Sequence, residues 1–283
     1  DAVIRYAGKL LDITVKEDSD RTEIKLSPYE VFILLIAILL HDAGNVYGRR
    51  EHERKAFKML KDMGKGLCPD EFEAKFIAKI ASAHGGKVKN KESDEETKDT
   101  IRPLDEQSTY SGLSFRPRLI AALVRFADEI CEDRTRAASV IRESSSDFSS
   151  SSDIYHAYAN TISSVDVDLR SKQIGIKYDL NKEDVLEKIP NDQIGEYLID
   201  EINKRLEKMF CELIYCKAFM YEVVPINKIR ATIVVHDDAD ELESQAFELS
   251  ESGYPADSFS FRKSFPTWSG ESVKKLIEQK VSK

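Results

Sequence analysis

Ten apolar residues in a row, positions 31–40, run directly into a histidine and an aspartate, and this junction constrains the fold more than any other stretch. The run begins as a helix should. Ser27 is placed to cap it, Pro28 suits the first helical position, and Glu30 completes a reciprocal capping box. A helix apolar on every side has no face to offer water, so it is expected to be central and fully surrounded. It has half of the roughly 20 apolar residues that a membrane span needs, and no membrane association is expected. Gly44 reads as its left-handed stop. His41 and Asp42 thus emerge at the end of the most buried helix, where polar groups need partners.

The composition allows such a core. Of 283 residues, 41% are hydrophobic and 33% charged, which excludes wholesale disorder and makes two units the soft expectation. A net charge of −9 argues against a broad electrostatic grip on nucleic acid and leaves only a local basic groove. Four cysteines include no CxxC pair, and the chain opens without a basic region followed by an apolar stretch. Reduced thiols and a cytoplasmic setting are the simplest reading.

Further helices turn polar residues toward the same interior. Val3, Ile4, Ala7, Leu10 and Leu11 predict a helix over 3–13. A helix over 51–63 places His52 on the stripe of Ala56, Met59, Leu60 and Met63. Asp70, with Glu73 three positions on, caps a helix that carries His84 on the stripe of Ile77, Ile80 and Ala81 and stops at Gly85-Gly86. Pro117 opens a long helix through Cys131, with Asp128 where an apolar face is due. A carboxylate buried without a partner costs several kcal/mol, so Asp128 needs a cation or dense hydrogen bonding. Three imidazoles and two carboxylates converging from four helices would form a mixed nitrogen and oxygen site for a divalent metal. Each piece has a plainer alternative. His52 would be the surface residue of a charged helix start, His84 a histidine facing the last helical carbonyls, and Asp128 the ion-pair partner of Arg125 or Arg134.

The order His-Asp, His, His, Asp along successive helices resembles the HD superfamily of metal-dependent phosphohydrolases. The segments LLIAILLHDAGN (34–45), EHERKAFKMLKDMG (51–64) and RPRLIAALVRFADEICEDRTRA (116–137) carry the likeness. The last, with LSPYEVFILLIAILLHDAGN, is most similar to a prokaryotic branch found beside Hsp90-like ATPase modules in conflict or defence systems. The resemblance covers about residues 1–140. It implies that His41, Asp42 and Asp128 hold one metal, and that Asp42, the catalytic carboxylate, bridges to a second held by His52 and His84. One or two ions of Mn, Fe, Mg, Ni or Zn are the implied cofactors. The superfamily's first histidine would fall just before residue 1, or Asp1 replaces it. Divalent ions clamp phosphate oxygens and acidify water, so such a site needs no serine or cysteine nucleophile. Arg49, Arg50, Lys87, Arg125 and Arg134 lie near the implied ligands in sequence, and Arg49, Lys87 and Arg125 are the candidates for holding substrate phosphate.

The expected architecture is mainly α, an HD-type all-helical bundle over 1–142, then a Ser-rich loop over 143–153 and a smaller α+β extension over 154–283. In that extension, alternation over 162–169 and 173–180 predicts a hairpin. A helix over 193–220, a strand over 229–235 and a helix over 239–250 capped by Asp238 follow. Residues 87–100 read as a charged loop, Gly85-Gly86 as no phosphate loop, and Cys211 and Cys216 as packing residues. His156 is expected at a hairpin edge, and Trp268 as a docking anchor. The functional expectation is a divalent-metal-dependent phosphohydrolase acting on nucleotides or single-stranded nucleic acid, with an Hsp90-like ATPase module as a candidate partner. The alternative is an inactive HD scaffold that binds a nucleotide or a partner ATPase domain without turnover.

Overall fold

The computed structural model describes residues 2–13, 25–48, 52–62, 70–89, 95–132, 151–189, 195–251 and 261–282. The chain divides into two compact units, one of residues 1–131 and 215–225, the other of residues 132–214 and 226–283.

The first unit contains helices α1 (Ala2–Leu10), α2 (Pro28–Leu40), α3 (Ala56–Asp62), α4 (Glu71–Ser82) and α5 (Pro117–Ile130). Two short 3-10 turns, Ala43–Tyr47 and His52–Lys55, link α2 to α3. Helices α1, α2 and α4 all pack on α5, whose residues 119–127 are buried without exception. The caps form as expected. Ser27 and Glu30 make a reciprocal capping box, and the Asp70 carboxylate accepts from the amides of Phe72 and Glu73.

Glu30 does more than cap. Its carboxylate accepts from the Ser27 amide (2.9 Å), the Arg116 amide (3.1 Å), Arg116 Nε (2.7 Å) and Arg116 Nη2 (2.8 Å). Arg116 is the N-cap of α5, so one buried carboxylate joins the starts of α2 and α5. Burial alone would raise the Glu30 pKa, but the hydrogen bonds from Arg116 and Ser27 outweigh it and hold the carboxyl below its ordinary value.

Several expectations change here. Helix α2 is not surrounded, because Phe32, Leu35 and Leu39 form an exposed stripe while Ile33, Leu34, Ala37 and Ile38 face the core. By length and apolar composition alone, Pro28–Tyr47 suffices to cross a membrane, a test that a core helix also passes. Gly44 is not a left-handed stop. It lies in a 3-10 turn where a Cβ would overlap the His52 carbonyl oxygen, so its hydrogen lets two turns approach. Gly48, at φ +99°, ends the turn instead. The helix expected over 51–63 begins as the 3-10 turn that carries His52.

The first unit is not all-helical either. Strands β1 (Val88–Lys89) and β2 (Glu96–Thr97) pair within the expected charged loop, and β3 (Ser108–Tyr110) pairs with β4 (Leu113–Phe115). Residues 215–225 belong to this unit as well. Tyr215 Oη donates to Asp99 (2.9 Å) and accepts from the Ile101 amide (2.9 Å).

The second unit is built on a four-stranded sheet of β5 (Ile162–Asp168), β6 (Gln173–Asn181), β7 (Lys228–Asp237) and β8 (Asp240–Ser250), in that order. The β5/β6 and β7/β8 pairs are antiparallel and β6/β7 is parallel. Helix α6 (Ser151–Thr161) precedes β5. Helices α7 (Lys182–Leu186) and α8 (Leu198–Met220) lie between β6 and β7 in sequence, α8 passing into the first unit from Tyr215 onward. Helices α9 (Phe261–Ser264) and α10 (Gly270–Val281) follow the sheet. Alternate residues Ile174, Ile176, Tyr178 and Leu180 on β6 and Ile229, Ala231, Ile233 and Val235 on β7 are buried.

The architecture is therefore mixed α/β, which corrects the mainly helical expectation. The largest single error is 240–250, read as a helix and found as β8. Its charged residues favour a helix, but Phe247 and Leu249 are buried at period 2 and the strand pairs with β7 along its length. Asp238 is no N-cap. At φ +51° it turns the chain between Asp237 and its partner Asp240. Trp268 is no docking anchor, being 5% exposed with its ring 5.5 Å from that of Phe247. The expected helix start near 193, Arg134 and most of the Ser-rich loop lie outside the described residues.

Replacing Arg116 by Met strands the Glu30 carboxylate in a buried position, and a loss of about 3 kcal/mol is expected in chemical denaturation. Glu30→Gln tests the same contact through pH. The folded-state pKa is depressed, so the carboxylate's contribution is complete above the unfolded value of about 4.5 and fades as pH falls through the folded value. The stability gap between wild type and Glu30→Gln should close in acid; a gap independent of pH would refute the pairing.

Candidate metal centre

Three helix C-termini and one turn of the first unit meet at a single point. His41 and Asp42 follow α2, His84 lies two residues beyond α4, Asp128 lies in the last turn of α5, and His52 opens its 3-10 turn. The ends of α2, α4 and α5 present unpaired carbonyls and the negative ends of their dipoles, which favours positive charge between them.

The imidazoles are held in a defined way. His41 Nδ1 lies 2.5 Å from the Ile38 carbonyl and His84 Nδ1 2.7 Å from the Ala81 carbonyl. A carbonyl only accepts, so each Nδ1 carries the proton and each Nε2 keeps its lone pair for the centre. His52 Nε2 is 3.0 Å from Asp42 Oδ1, and His84 Nε2 is 3.8 Å from the same oxygen. His41 Nε2 lies 3.7 Å from Asp42 Oδ2 and 3.5 Å from Asp128 Oδ1. Asp42 thus offers one oxygen to His52 and His84 and the other to His41. The His41 and His84 rings are 5.0 Å apart, and those of His52 and His84 5.6 Å apart.

One ligand atom each from Asp42, His52 and His84 lie within 4.8 Å of one another, a group able to hold a metal ion. The donor set fits a divalent cation. The His41 side chain is 7% exposed, and its Nε2 is buried too far from either carboxylate for a well-made hydrogen bond. A nitrogen with a free lone pair in that position is satisfied by a cation. Without an ion the set competes for protons. Burial opposes charge on His41, yet the adjacent Asp128 carboxylate overrides it and raises the pKa, whereas burial and then His41 itself lower that of His84.

The expected phosphate contacts fare differently. Arg125 is engaged by protein groups. Its buried guanidinium donates to the Thr100 hydroxyl (2.8 Å) and the Lys98 carbonyl (3.2 Å) and sits 4.7 Å from the Tyr215 ring centre. A side chain so engaged holds the fold rather than a substrate. Lys87 Nζ pairs with Glu96 at 3.1 Å. Arg49, Arg50 and Asp1 lie outside the described residues. A separate cavity of about 480 Å³, lined by Arg102, Arg116, Arg118, Phe219 and Tyr221 among others, contains none of the five converging residues.

Sequence spacing did not single out Glu53. It follows His52 directly, is buried, and places Oε2 3.5 Å from His52 Nδ1. Helical geometry would turn neighbours about 100° apart, so no periodicity argument reaches such a pair.

The HD-CE family profile matches residues 1–208. The chain belongs to the HD-CE family. The match carries an HD-type domain, a kind that generally binds divalent metals, and in this HD-CE protein Asp42, His52 and His84 form a group able to hold one. No curated protein matches the chain, and no solved structure matches it.

Asp128→Asn keeps the shape of the side chain and removes its charge. Ligand binding to the folded state raises the melting temperature, so added Mn²⁺ should stabilise wild type and stabilise the variant far less. Melting curves with EDTA and with Mn²⁺ decide it, and equal metal-induced shifts in the two proteins would remove Asp128 from the ligand set.

Proposed function

We propose that this HD-CE protein is a divalent-metal-dependent phosphohydrolase, with His41, Asp42, His52, His84 and Asp128 as metal ligands. The observation that carries the reading is the orientation of three imidazole Nε2 atoms toward two carboxylates, with the Nδ1 protons of His41 and His84 taken up by backbone carbonyls. A divalent ion supplies Lewis acidity there, neutralising phosphate oxygens and lowering the pKa of water.

The chain's own residues divide the remaining work. Asp42 is the shared member, because its two oxygens face the two halves of the set. Its side chain is 45% exposed, against 7% for His41 and 6% for His84, so the centre is reached from the Asp42 side and closed behind the two histidines. Asp128 draws His41 into line from α5. With these residues engaged as metal ligands, the attacking group in this reading is water.

The substrate class in this reading is a phosphate ester of a nucleotide or of single-stranded nucleic acid. A part in prokaryotic defence and an Hsp90-like ATPase partner are further expectations that rest on the family resemblance alone, and a cytoplasmic setting is the expectation from the cysteine usage.

The test is turnover. Protein purified without chelators and supplied with Mn²⁺ is incubated with mononucleotides, cyclic nucleotides and single-stranded oligonucleotides, and products are separated by chromatography. Release of phosphate or nucleotide is expected, together with loss of metal and of at least 100-fold in activity in Asp42→Ala, while His156→Ala retains both. Tight nucleotide binding with no product from any substrate would return the protein to a binding scaffold, and full activity in Asp42→Ala would overturn the reading.

A further inference from the structure

The His84 ring is fixed against its own helix, because Nδ1 donates to the Ala81 carbonyl at 2.7 Å. That bond does not fix the end of α4 against Asp42 or Asp128, which stand on other elements. A bound metal demands the second as much as the first, since a ligand displaced by about 0.5 Å is already a poor one.

The charged stretch 87–100 ends in a residue unlike the rest of it. Thr100 is buried, and its hydroxyl donates to the Ala83 carbonyl at 2.6 Å. Ala83 is buried too, so this carbonyl, one of those that a helix end leaves over, needs a partner within the protein. It belongs to the planar peptide whose nitrogen is that of His84, so holding its oxygen sets the direction in which the chain enters His84. The direction of the hydroxyl is itself decided. Arg125 Nη1 lies 2.8 Å from Thr100 Oγ1, and a guanidinium only donates, so the single hydroxyl proton is left for Ala83. Arg125 stands on α5, the helix that carries Asp128. The chain Arg125–Thr100–Ala83 thus runs from one ligand-bearing helix to the end of another.

Thr100 is also held from both sides. Tyr215 Oη donates to the Asp99 carboxylate and accepts from the Ile101 amide, each at 2.9 Å. Arg125 Nη1 reaches the Lys98 carbonyl at 3.2 Å, and its guanidinium lies 4.7 Å from the Tyr215 ring centre. Four consecutive residues, 98–101, are tied down around one hydroxyl.

We propose that Thr100 is a positioning residue of the metal centre: it passes a hydrogen bond from Arg125 on α5 to the Ala83 carbonyl and so sets His84 against the other ligands. The inference rests on the metal-centre reading for its effect on binding, but the hydrogen-bonded chain belongs to the metal-free protein.

Thr100→Val keeps the shape of the side chain and removes the hydroxyl, and Thr100→Ser keeps the hydroxyl. Thr161→Val is the control for lost stability. It deletes a buried hydroxyl of the second unit that donates to the Tyr158 carbonyl at 2.7 Å. Two measurements are made, each well below the melting temperature of every variant. In metal-free protein, NMR cross-relaxation between the ring protons of His41 and His84, whose rings are 5.0 Å apart, reports whether His84 keeps its place. It should persist in Thr100→Ser and Thr161→Val and weaken in Thr100→Val. Chelator competition should show Mn²⁺ affinity about 10-fold lower in Thr100→Val, as for loss of an outer-shell partner, and near wild type in the other two. Unchanged cross-relaxation or unchanged Mn²⁺ affinity in Thr100→Val overturns the inference. An equal loss of affinity in Thr161→Val also overturns it, because the effect would then follow stability. Failure of wild type to bind Mn²⁺ at all removes the proposed function, and the metal-free cross-relaxation then decides by itself whether Thr100 positions His84.

Discussion

The contact between Glu30 and Arg116 sets the geometry on which the metal centre depends. Both residues stand at helix starts, and the two helices run side by side from that clamp. From Glu30 to His41 is 11 residues and from Arg116 to Asp128 is 12. At 1.5 Å per residue these are about 17 and 18 Å of helix. The match in length brings His41 and Asp128 level at the far end, where Nε2 and Oδ1 lie 3.5 Å apart. A slip of one turn, about 5.4 Å, would separate them. The clamp is charge-assisted and bidentate, so it fixes direction as well as distance, and its burial makes each partner costly to lose.

The same economy of means appears in the imidazoles. A helix C-terminus has carbonyls to spare, and a histidine one or two residues beyond the last turn can give its Nδ1 proton to one of them. That single interaction satisfies an orphan acceptor, selects the tautomer and aims Nε2. Using it at α2 and α4 lets two imidazoles be set by backbone carbonyls. The approach of the turns carrying Asp42 and His52 needs one further condition, a glycine at 44 whose hydrogen fits against the His52 carbonyl.

Much of this was legible from residue types. The caps at Ser27-Glu30 and Asp70-Glu73 are local chemistry, and local chemistry fixes helix starts within a residue. The inward direction of His52, His84 and Asp128 followed from stripes of Ala, Ile, Leu and Met, since helical spacing predicts a face. It does not predict what covers that face. The stripe Phe32, Leu35 and Leu39 is as apolar as the buried side of α2, and only tertiary packing distinguishes them. Arg125 failed for a related reason: its position near Asp128 in sequence says nothing about the Thr100 hydroxyl and Tyr215 ring that claim it. The strand at 240–250 was misread because its glutamates and serines match a helix as well as a solvent-facing strand edge. The two buried residues Phe247 and Leu249 were too few to declare the period.

The electrostatics of the centre follow from how these pieces are joined. Two carboxylates and the negative ends of three helices converge on one small volume, in a chain whose net charge is −9. Among the described residues, Arg125 is engaged with Thr100 and Lys98, and Lys87 with Glu96. A phosphate ester brought to the Asp42 side would meet net repulsion from the protein alone. A divalent ion held there would offset the charge of the two carboxylates. Asp42 turns one oxygen toward His41 and the other toward His52 and His84. In the proposed reading, a cation held by these residues is what lets a phosphate ester approach Asp42.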